Sequence, residues 1–394
     1  MPRRVLVIAL LMAFGMWLPL TVVPVVADII EQQYSIPHTL TGLLFSAPVA
    51  MLSLTAIPGG FLADKIGIKK AVGIGIVILA SGSALRGLSS NFPTLLVFTL
   101  IYGLGLGLCF PNLPKLARHC TPRERSNITV GMFTSAILIS GALSLAIIRP
   151  VIYPITHSYQ GVFFISSIPA ILVALLWWTF IHDPPCESAG IQAVNFGLNS
   201  FRKIIINSGL WLVSALFFTH NVVLYTILGW MPSFLVNIGA RVTIAGLITS
   251  IIFLVGTVSV LSLTRLSTKL GRRKPFLWGT SILLIAASLG PLIINLPTSW
   301  ILMSVIGLAA ATRFTMILTL PVEMVSPEHS GSASGLVMSA GYLGALAGPI
   351  IGGLILDSTK SYQWIFITLA VVSAITTGIA FVIPETGAKR STSH

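Results

Sequence analysis

The sequence predicts an all-α membrane protein whose twelve transmembrane helices form two pseudo-symmetric six-helix bundles. Of its 394 residues, 55% are hydrophobic and only 8% are charged, whereas soluble proteins carry about 25% charged residues. Long apolar runs recur along the chain, and a charged turn between two such runs returns in the second half. Such a feature, repeated in both halves of a chain, is typical of a duplicated unit.

Each predicted span is a run of about 20 predominantly apolar residues, the length needed to cross ~30 Å of hydrocarbon. Glycines and prolines interrupt these runs, which membrane helices tolerate. The first run is too long for the apolar core of a signal peptide, and eleven similar runs follow it, so we expect it to stay in the mature chain. In order, the predicted spans are residues 5–27, 39–63, 71–89, 93–117, 127–150, 160–181, 208–236, 243–267, 275–296, 298–322, 331–356 and 362–383.

The distribution of basic residues predicts the orientation of the chain. With twelve spans, both chain ends lie on one side of the membrane. The other side holds only Arg86, Arg149, Arg241 and Lys360, Arg313 lies within a span, and every other lysine and arginine falls on the side of the chain ends. Because basic loops stay in the cytoplasm, we predict a cytoplasmic-membrane protein with both termini inside. The net charge of +13 is then an orientation signal, and nucleic acid is excluded as a partner.

The longest polar connection lies between spans six and seven and divides the chain near its middle. We predict a first bundle over residues 1–182, a cytoplasmic linker over 183–207 and a second bundle over 208–394. Apolar residues in the linker recur at three- and four-residue steps, which indicates an amphipathic helix on the membrane face. A disordered linker is the alternative.

Two charged turns with glycine at the bend connect spans two to three and spans eight to nine. The first contains an acid followed by lysines, and the second repeats the glycine and the basic residues with Thr268 in the position of the acid. The residues are Gly60, Asp64, Lys65, Gly67, Lys69 and Lys70 in the first turn, and Lys269, Gly271, Arg272, Arg273 and Lys274 in the second.

Six spans, a linker and six more spans, with these two turns, resemble the major facilitator superfamily. The resemblance covers essentially the whole chain. The resemblance implies two halves related by an axis along the membrane normal, with a substrate site at mid-membrane between them. It also implies that the turns are a conformational gate, in which Asp64 holds the N-terminus of span eleven near Ser330, where the helix dipole attracts an anion. The second turn lacks the acid, so we expect it to form a weaker gate contact than the first.

Shorter stretches resemble one branch of that superfamily, the cyanate and nitroimidazole porters, close to the nitrate/nitrite porters. Members of this branch are secondary carriers of small, often anionic solutes. The stretches are Thr41-Gly42-Leu43-Leu44 and Pro48 in span two, Ala84-Leu85-Arg86 in span three, Gly103, Gly105, Gly107 and Asn112-Leu113-Pro114-Lys115 in span four, Tyr225 and Trp230-Met231-Pro232 in span seven, and Gly348-Pro349, Gly352 and Asp357 in span eleven.

The chain departs from its relatives at three points. Span one has Gly15 to Pro19 where related porters often carry an arginine, and the arginines of the nitrate porters in helices two and eight have no match. The Gly-Pro-x-x-Gly-Gly string that many proton-driven drug exporters carry in helix five stands in span eleven here, from Gly348 to Gly353. The last departure counts against drug/proton antiport.

Arg313, halfway along span ten, is the clearest candidate for substrate binding. A charge at mid-bilayer costs roughly 2.5–3.5 kcal/mol on insertion scales, so an ionisable residue there is a functional candidate. Its guanidinium could grip a carboxylate or another small anion with two parallel hydrogen bonds. The alternative is a structural arginine that donates to carbonyl groups of a neighbouring helix.

Span seven carries further candidates in His220, Asn221, Tyr225 and Trp230. Histidine changes charge near neutral pH, so His220 could couple substrate movement to protons, or it could simply hydrogen-bond to a neighbour. Tyr225 and Trp230 offer flat faces that suit the wall of a small site, although Trp230 could equally anchor the span at the membrane interface.

Arg86 and Arg149 lie near the outer ends of spans three and five. Each could snorkel to the headgroups. Alternatively, Arg86 could turn inward with Arg149 or Arg313 to form a positive vestibule that draws anions. Ordinary helix packing is the alternative for the other predicted lining residues, which are Trp17 in span one and Phe110 and Asn112 in span four.

We therefore expect a secondary active transporter that moves a small, anionic solute by alternating access. The sequence shows no phosphate-binding Gly-x-x-x-x-Gly-Lys loop, and its three cysteines lack metal-ligand spacing, so we predict neither an enzyme nor a cofactor. Protons are a candidate coupling ion, and we expect a monomer in the bilayer. The alternatives are a proton-coupled exporter of hydrophobic compounds, a carrier-fold sensor and a channel.

Overall fold

The computed structural model describes residues 3–113, 116, 123–181, 206–325 and 330–386. Within these residues it contains twelve helices long and apolar enough to cross a membrane, which confirms the predicted all-α fold with twelve spans. The helices of spans one to twelve are Arg3–Trp17, His38–Ile66, Ile68–Leu85, Phe92–Cys109, Arg123–Ile147, Tyr159–Phe180, Ser208–Asn237, Val242–Leu270, Lys274–Leu289, Leu296–Met324, Ser330–Thr359 and Tyr362–Val382, and a short helix, Ala27–Tyr34, precedes span two.

Because the number of spans is even, the two chain ends share one face of the molecule, here called the terminal face. The opposite face carries the short helix Ala27–Tyr34 and the end of span eleven, and is here called the Asp357 face. The predicted linker lies almost entirely outside the described residues, so its amphipathic helix and the bundle boundaries stay predictions.

Span one differs from the single continuous helix that the sequence predicts. Its α-helix ends at Trp17 and continues as a 3-10 helix over Leu18–Val25. Pro19 and Pro24 explain the change, because proline lacks the amide hydrogen of the α-helical bond and its ring clashes with the preceding turn. A 3-10 helix of this length is uncommon.

The first charged turn joins spans two and three at the terminal face. Span two ends at Gly67, whose φ of 89° is a backbone conformation that favours glycine. The Trp177 indole of span six donates to the carbonyl of Lys69 at 3.0 Å, and Lys65 and Lys70 are exposed. The side chain of Asp64 lies outside the described residues, so its predicted contact with span eleven stays a prediction.

The second charged turn is held within the second half of the chain. Arg273 donates to the Glu323 carboxylate of span ten through Nε at 3.2 Å and Nη2 at 3.0 Å. The Glu385 carboxylate accepts from the backbone N–H groups of Arg273 and Lys274 at 2.7 and 3.1 Å. A carboxylate beyond span twelve therefore satisfies the N-terminal donors of span nine, where a helix end favours negative charge.

The first six and last six spans meet mainly along spans two and eleven and along spans five and eight, and the 3-10 segment of span one also contacts span seven. Spans two and eleven approach most closely near the Asp357 face. A Cβ atom added at Gly42 would lie 2.3 Å from the carbonyl oxygen of Pro349, and one added at Gly353 would lie 2.6 Å from that of His38. Small residues permit such close helix crossings in membranes, and here they bring the backbones of the two halves into contact on this side.

Candidate functional site

The site is organised around Arg313 and His220, which the structure brings together although they lie on different helices. Arg313 is completely buried near the middle of span ten, and His220 is completely buried on span seven. The Nε of Arg313 donates to Nδ1 of His220 at 2.9 Å, and Nη1 donates to the Ser281 hydroxyl of span nine at 3.2 Å. Three helices of the second half therefore converge on one guanidinium.

Two donors of this pair have no hydrogen-bond partner among the described residues. They are Nη2 of Arg313 and Nε2 of His220. Both residues line a narrow gap, too tight for water in this state, whose other walls are apolar side chains from the same three helices. The wall residues are Val223, Leu224, Ile227, Leu284, Ile306 and Ala310.

A buried guanidinium without a carboxylate is costly. The ion pairs of the described residues give Arg313 no acidic partner, and a buried charge left uncompensated costs several kcal/mol. A buried donor left without an acceptor adds about 1–3 kcal/mol. The arrangement offers a positive charge and free N–H groups but no negative group, which is the complement of a small anion.

Aromatic rings beside this pair connect the two halves of the molecule. Trp17 lies 5.5 Å from Phe110, Phe110 lies 6.4 Å from Tyr342 of span eleven, and Tyr342 lies 5.5 Å from Phe217, measured between ring centroids. Phe217 stacks on His220 at 6.3 Å. Trp17 and Phe110 thus belong to a row of rings that reaches from span one to span seven, and their predicted role as lining residues stays a prediction. Phe217 and Tyr342 belong to the same row and were not singled out by the sequence.

The other candidates on span seven contact neighbouring helices. The Asn221 amide donates to the carbonyl of Gly341 at 3.0 Å, and the Tyr225 ring lies 6.1 Å from Phe45 of span two. Trp230 is 2% exposed and its indole donates to the carbonyl of Pro349 at 3.0 Å. The reading of Trp230 as an interfacial anchor is therefore wrong, since its side chain is enclosed by spans two, seven and eleven.

The Asp357 face is closed by a contact between the two halves. The Asp357 carboxylate at the end of span eleven accepts from the backbone N–H groups of His38 and Thr39 at 3.0 and 2.9 Å, and from the Thr39 hydroxyl at 2.5 Å. These groups begin span two, so Asp357 caps a helix of the opposite half. His38 also contacts Glu31 at 2.9 Å. We call the contact of Asp357 with His38 and Thr39 the Asp357 clasp.

Arg86 is completely buried inside the first half, so the snorkelling alternative is wrong for this residue. Its guanidinium lies between the rings of Tyr102 and Phe163, 4.5 Å from each centroid. It donates to the carbonyl of Pro19 at 3.2 Å, while the Tyr102 hydroxyl donates to that of Met16 at 2.6 Å. Arg86 and Tyr102 therefore supply donors to carbonyl groups around the break in span one.

Arg149 and Asn112 also lie apart from the central pair. Arg149 donates to the Asp28 carboxylate at 2.6 Å at the Asp357 face, and its guanidinium lies 4.8 Å from the Tyr153 ring. The Asn112 amide donates to the carbonyl of Gly59 on span two at 3.2 Å. The three arginines thus occupy separate places, and the predicted positive vestibule is wrong.

The hydrogen-bond partners of the candidate residues could not be identified from the sequence. Ser281 gives no signal in the sequence because serines are common in these spans, and its role depends on span nine facing span ten. Asp357 stands out as one of few carboxylates near a span, but nothing in the sequence indicates that it caps span two.

Among the described residues, the structure contains no cluster of histidine, cysteine or acidic residues that could hold a metal ion.

The fold and the site together define a polytopic helical membrane protein with a buried cationic site between converging spans and one closed face. The sequence model of the Major Facilitator Superfamily matches residues 5–241 and again residues 235–394. The chain belongs to this superfamily, and it is a membrane transporter, not an enzyme.

Individual relatives agree with this assignment. The chain is 24% identical to the hexuronate transporter of Bacillus subtilis over 392 residues, covering 92% of this chain and 90% of the relative. It is 22% identical to the cyanate transport protein CynX of Escherichia coli, covering 89% and 90%. The crystal structure of a bacterial homolog of the human lysosomal transporter Spinster superposes with a TM-score of 0.80 at 18% identity, covering 97% of each chain.

Proposed function

We propose that this transporter carries a small anionic solute across the cytoplasmic membrane by alternating access. The observation that carries the proposal is the buried Arg313, whose Nη2 has no partner among the described residues. Arginine presents planar N–H pairs that match carboxylates and other oxyanions. The hexuronate and cyanate relatives, which are named for anions, support the same class of substrate.

In this proposal the central pair and the aromatic rings form one substrate site between residues 1–182 and 208–394, the two halves joined by the linker 183–207. The Asp357 clasp is the gate on one face. The first charged turn, with Asp64, is the gate on the terminal face, and the basic loops on that face support a cytoplasmic location for it. Closing one gate while the other opens would move the solute without a continuous pore.

The test is a thermal-stability measurement on the purified protein with four probes. Glucuronate and cyanate are the anions, glucose is the neutral control, and ethidium represents the hydrophobic cations of the exporter alternative. We expect stabilisation by at least one anion, because a ligand that binds only the folded state raises its stability. Stabilisation by ethidium alone would overturn the anion proposal in favour of the exporter.

Arg313→Gln should then weaken binding of the stabilising anion by about 10- to 100-fold, because a hydrogen bond to a charged group contributes about 1.5–3 kcal/mol. Arg241→Gln is the matched control, since Arg241 is exposed in the turn before span eight. Uptake of the same anion into proteoliposomes should fall in parallel. Equal binding and uptake by both variants would contradict the role of Arg313.

A further inference from the structure

His220 has a protonation state that the hydrogen bond to Arg313 determines. The guanidinium can only donate, so Nδ1 of His220 must accept the 2.9 Å bond with its lone pair. A neutral imidazole with one accepting nitrogen carries its proton on the other nitrogen. In the structure His220 is therefore neutral, with a proton on Nε2, which has no partner among the described residues.

The groups around His220 disfavour a second proton on this ring. Span ten contributes the cation Arg313 and the Phe314 ring at 6.0 Å, span nine contributes Ser281 through Arg313, and span seven contributes Phe217. No acidic side chain contacts His220 among the described residues. A proton on Nδ1 would place two N–H donors face to face and two cations side by side in a buried site, where their repulsion is weakly screened.

An anion bound to Arg313 changes this balance. Its charge offsets that of the guanidinium, so a second positive charge on His220 no longer stands beside an uncompensated one. The anion also supplies acceptor atoms for Nη2, which lacks an acceptor in the structure. By thermodynamic reciprocity, an anion that favours the proton must itself be favoured by the proton to the same extent.

We propose that His220 is the proton-coupling residue of this carrier, and that anion binding and proton binding at the Arg313–His220 pair promote each other. The inference rests on the proposed anion transport and names the coupling ion. The chemistry balances as one anion and one proton taken up together. The 2.9 Å bond from Nε of Arg313 to Nδ1 of His220 breaks as the Nε–H group turns to the anion, and the proton is drawn from solvent onto the freed Nδ1. His220 acts on the substrate through Arg313 and is thus a positioning residue.

Calorimetric titration of the purified wild-type protein with the stabilising anion, glucuronate or cyanate, tests the coupling. Repeating the titration in buffers of different ionisation enthalpy measures the protons taken up per anion. We expect net uptake of up to one proton, and an affinity that rises by up to about tenfold for each unit of falling pH between about pH 6 and 8. Binding without proton uptake would overturn this inference while leaving the anion proposal intact.

His220→Asn assigns the proton to this residue. The Asn side-chain oxygen can accept from Nε of Arg313 but does not titrate, so proton uptake and the pH dependence of affinity should both disappear. His220→Gln provides a second variant without a titratable ring. Continued proton uptake in either variant would overturn the assignment.

A spectroscopic measurement keeps the assignment testable if neither variant binds. Infrared difference spectra of wild-type protein with isotope-labelled histidine should then show an imidazolium band when the anion is added. The absence of that band would overturn the proposal, because the proton would have bound elsewhere.

Discussion

At the scale of single residues, the two buried arginines have different surroundings. Every described neighbour of Arg86 belongs to the first half, and its guanidinium is enclosed by the rings of Tyr102 and Phe163. Arg313 instead lines an apolar gap formed by helices of the second half. Among the described residues each arginine keeps one nitrogen without a partner, Nε of Arg86 and Nη2 of Arg313. What separates the candidate binding arginine from the structural one is therefore the gap beside Arg313, since the guanidinium of Arg86 lies between two rings.

Arg86→Met should lower the stability of the protein. The substitution leaves the Pro19 carbonyl without its donor at the break in span one, and a buried unsatisfied group costs about 1–3 kcal/mol. Thermal unfolding in detergent measures the effect, with the exposed Arg241→Met as the control. Unchanged unfolding temperature together with lost anion binding would instead place Arg86 in the substrate site.

At the scale of helices, the Asp357 clasp is the most clearly defined contact between the halves. A side chain of span eleven satisfies the first N–H groups of span two, which a helix leaves without partners. The charged acceptor makes these bonds stronger than neutral ones. Close packing at Gly42 and Gly353 holds the same two helices together, so the two observations describe one closed contact between the halves.

Asp357→Asn should weaken the clasp and expose the space behind it. Thr41 is 3% exposed and lies with Trp230 and Pro349 around a small gap, so Thr41→Cys in a background without other cysteines is a suitable reporter. We expect faster labelling of this cysteine by a membrane-impermeant thiol reagent when Asp357 is replaced. Asp28→Asn is the control because its ion pair with Arg149 lies within the first half. Equal labelling rates in the two variants would argue against a gate at Asp357.

At the scale of the whole molecule, alternating access requires that the two halves move relative to each other. Spans two and eleven are joined again below the clasp, where the Ser53 hydroxyl donates to the carbonyl of Ser339 at 2.9 Å. A covalent bond at this place would hold the halves in one arrangement. A channel built on the same fold would conduct solute without that motion in each cycle, and a sensor would not transport solute at all.

A disulfide between Ser53→Cys and Ser339→Cys should stop uptake of the probe anion, and a reductant should restore it. The control pair is Ser288→Cys with Ser373→Cys, whose hydroxyls lie 3.4 Å apart on spans nine and twelve of the second half. A cross-link there should leave uptake largely intact, since it joins helices that move together. Full uptake by the cross-linked first pair would exclude alternating access.

The number of spans, the helical class and the superfamily could all be predicted from the sequence. These three properties depend on the length and apolarity of each run, on the glycines and prolines that interrupt it, and on two short turns. All of these are local features of the sequence. The sequence also identified Arg313, because a charge in the middle of an apolar run is conspicuous without knowledge of any neighbour.

The contacts of each candidate residue became known from the three-dimensional arrangement of the helices. The partnerless Nη2 of Arg313 is apparent only once Ser281 and His220, from two other helices, are placed beside it. The partners of Asp357 lie at the start of span two, more than three hundred residues away in the chain. Span one showed the same limit, because the carbonyl groups at its break are satisfied by Arg86 and Tyr102 from other helices. Partner choice depends on which helix faces which, and a sequence pattern gives the buried side of a helix but not the identity of its neighbour.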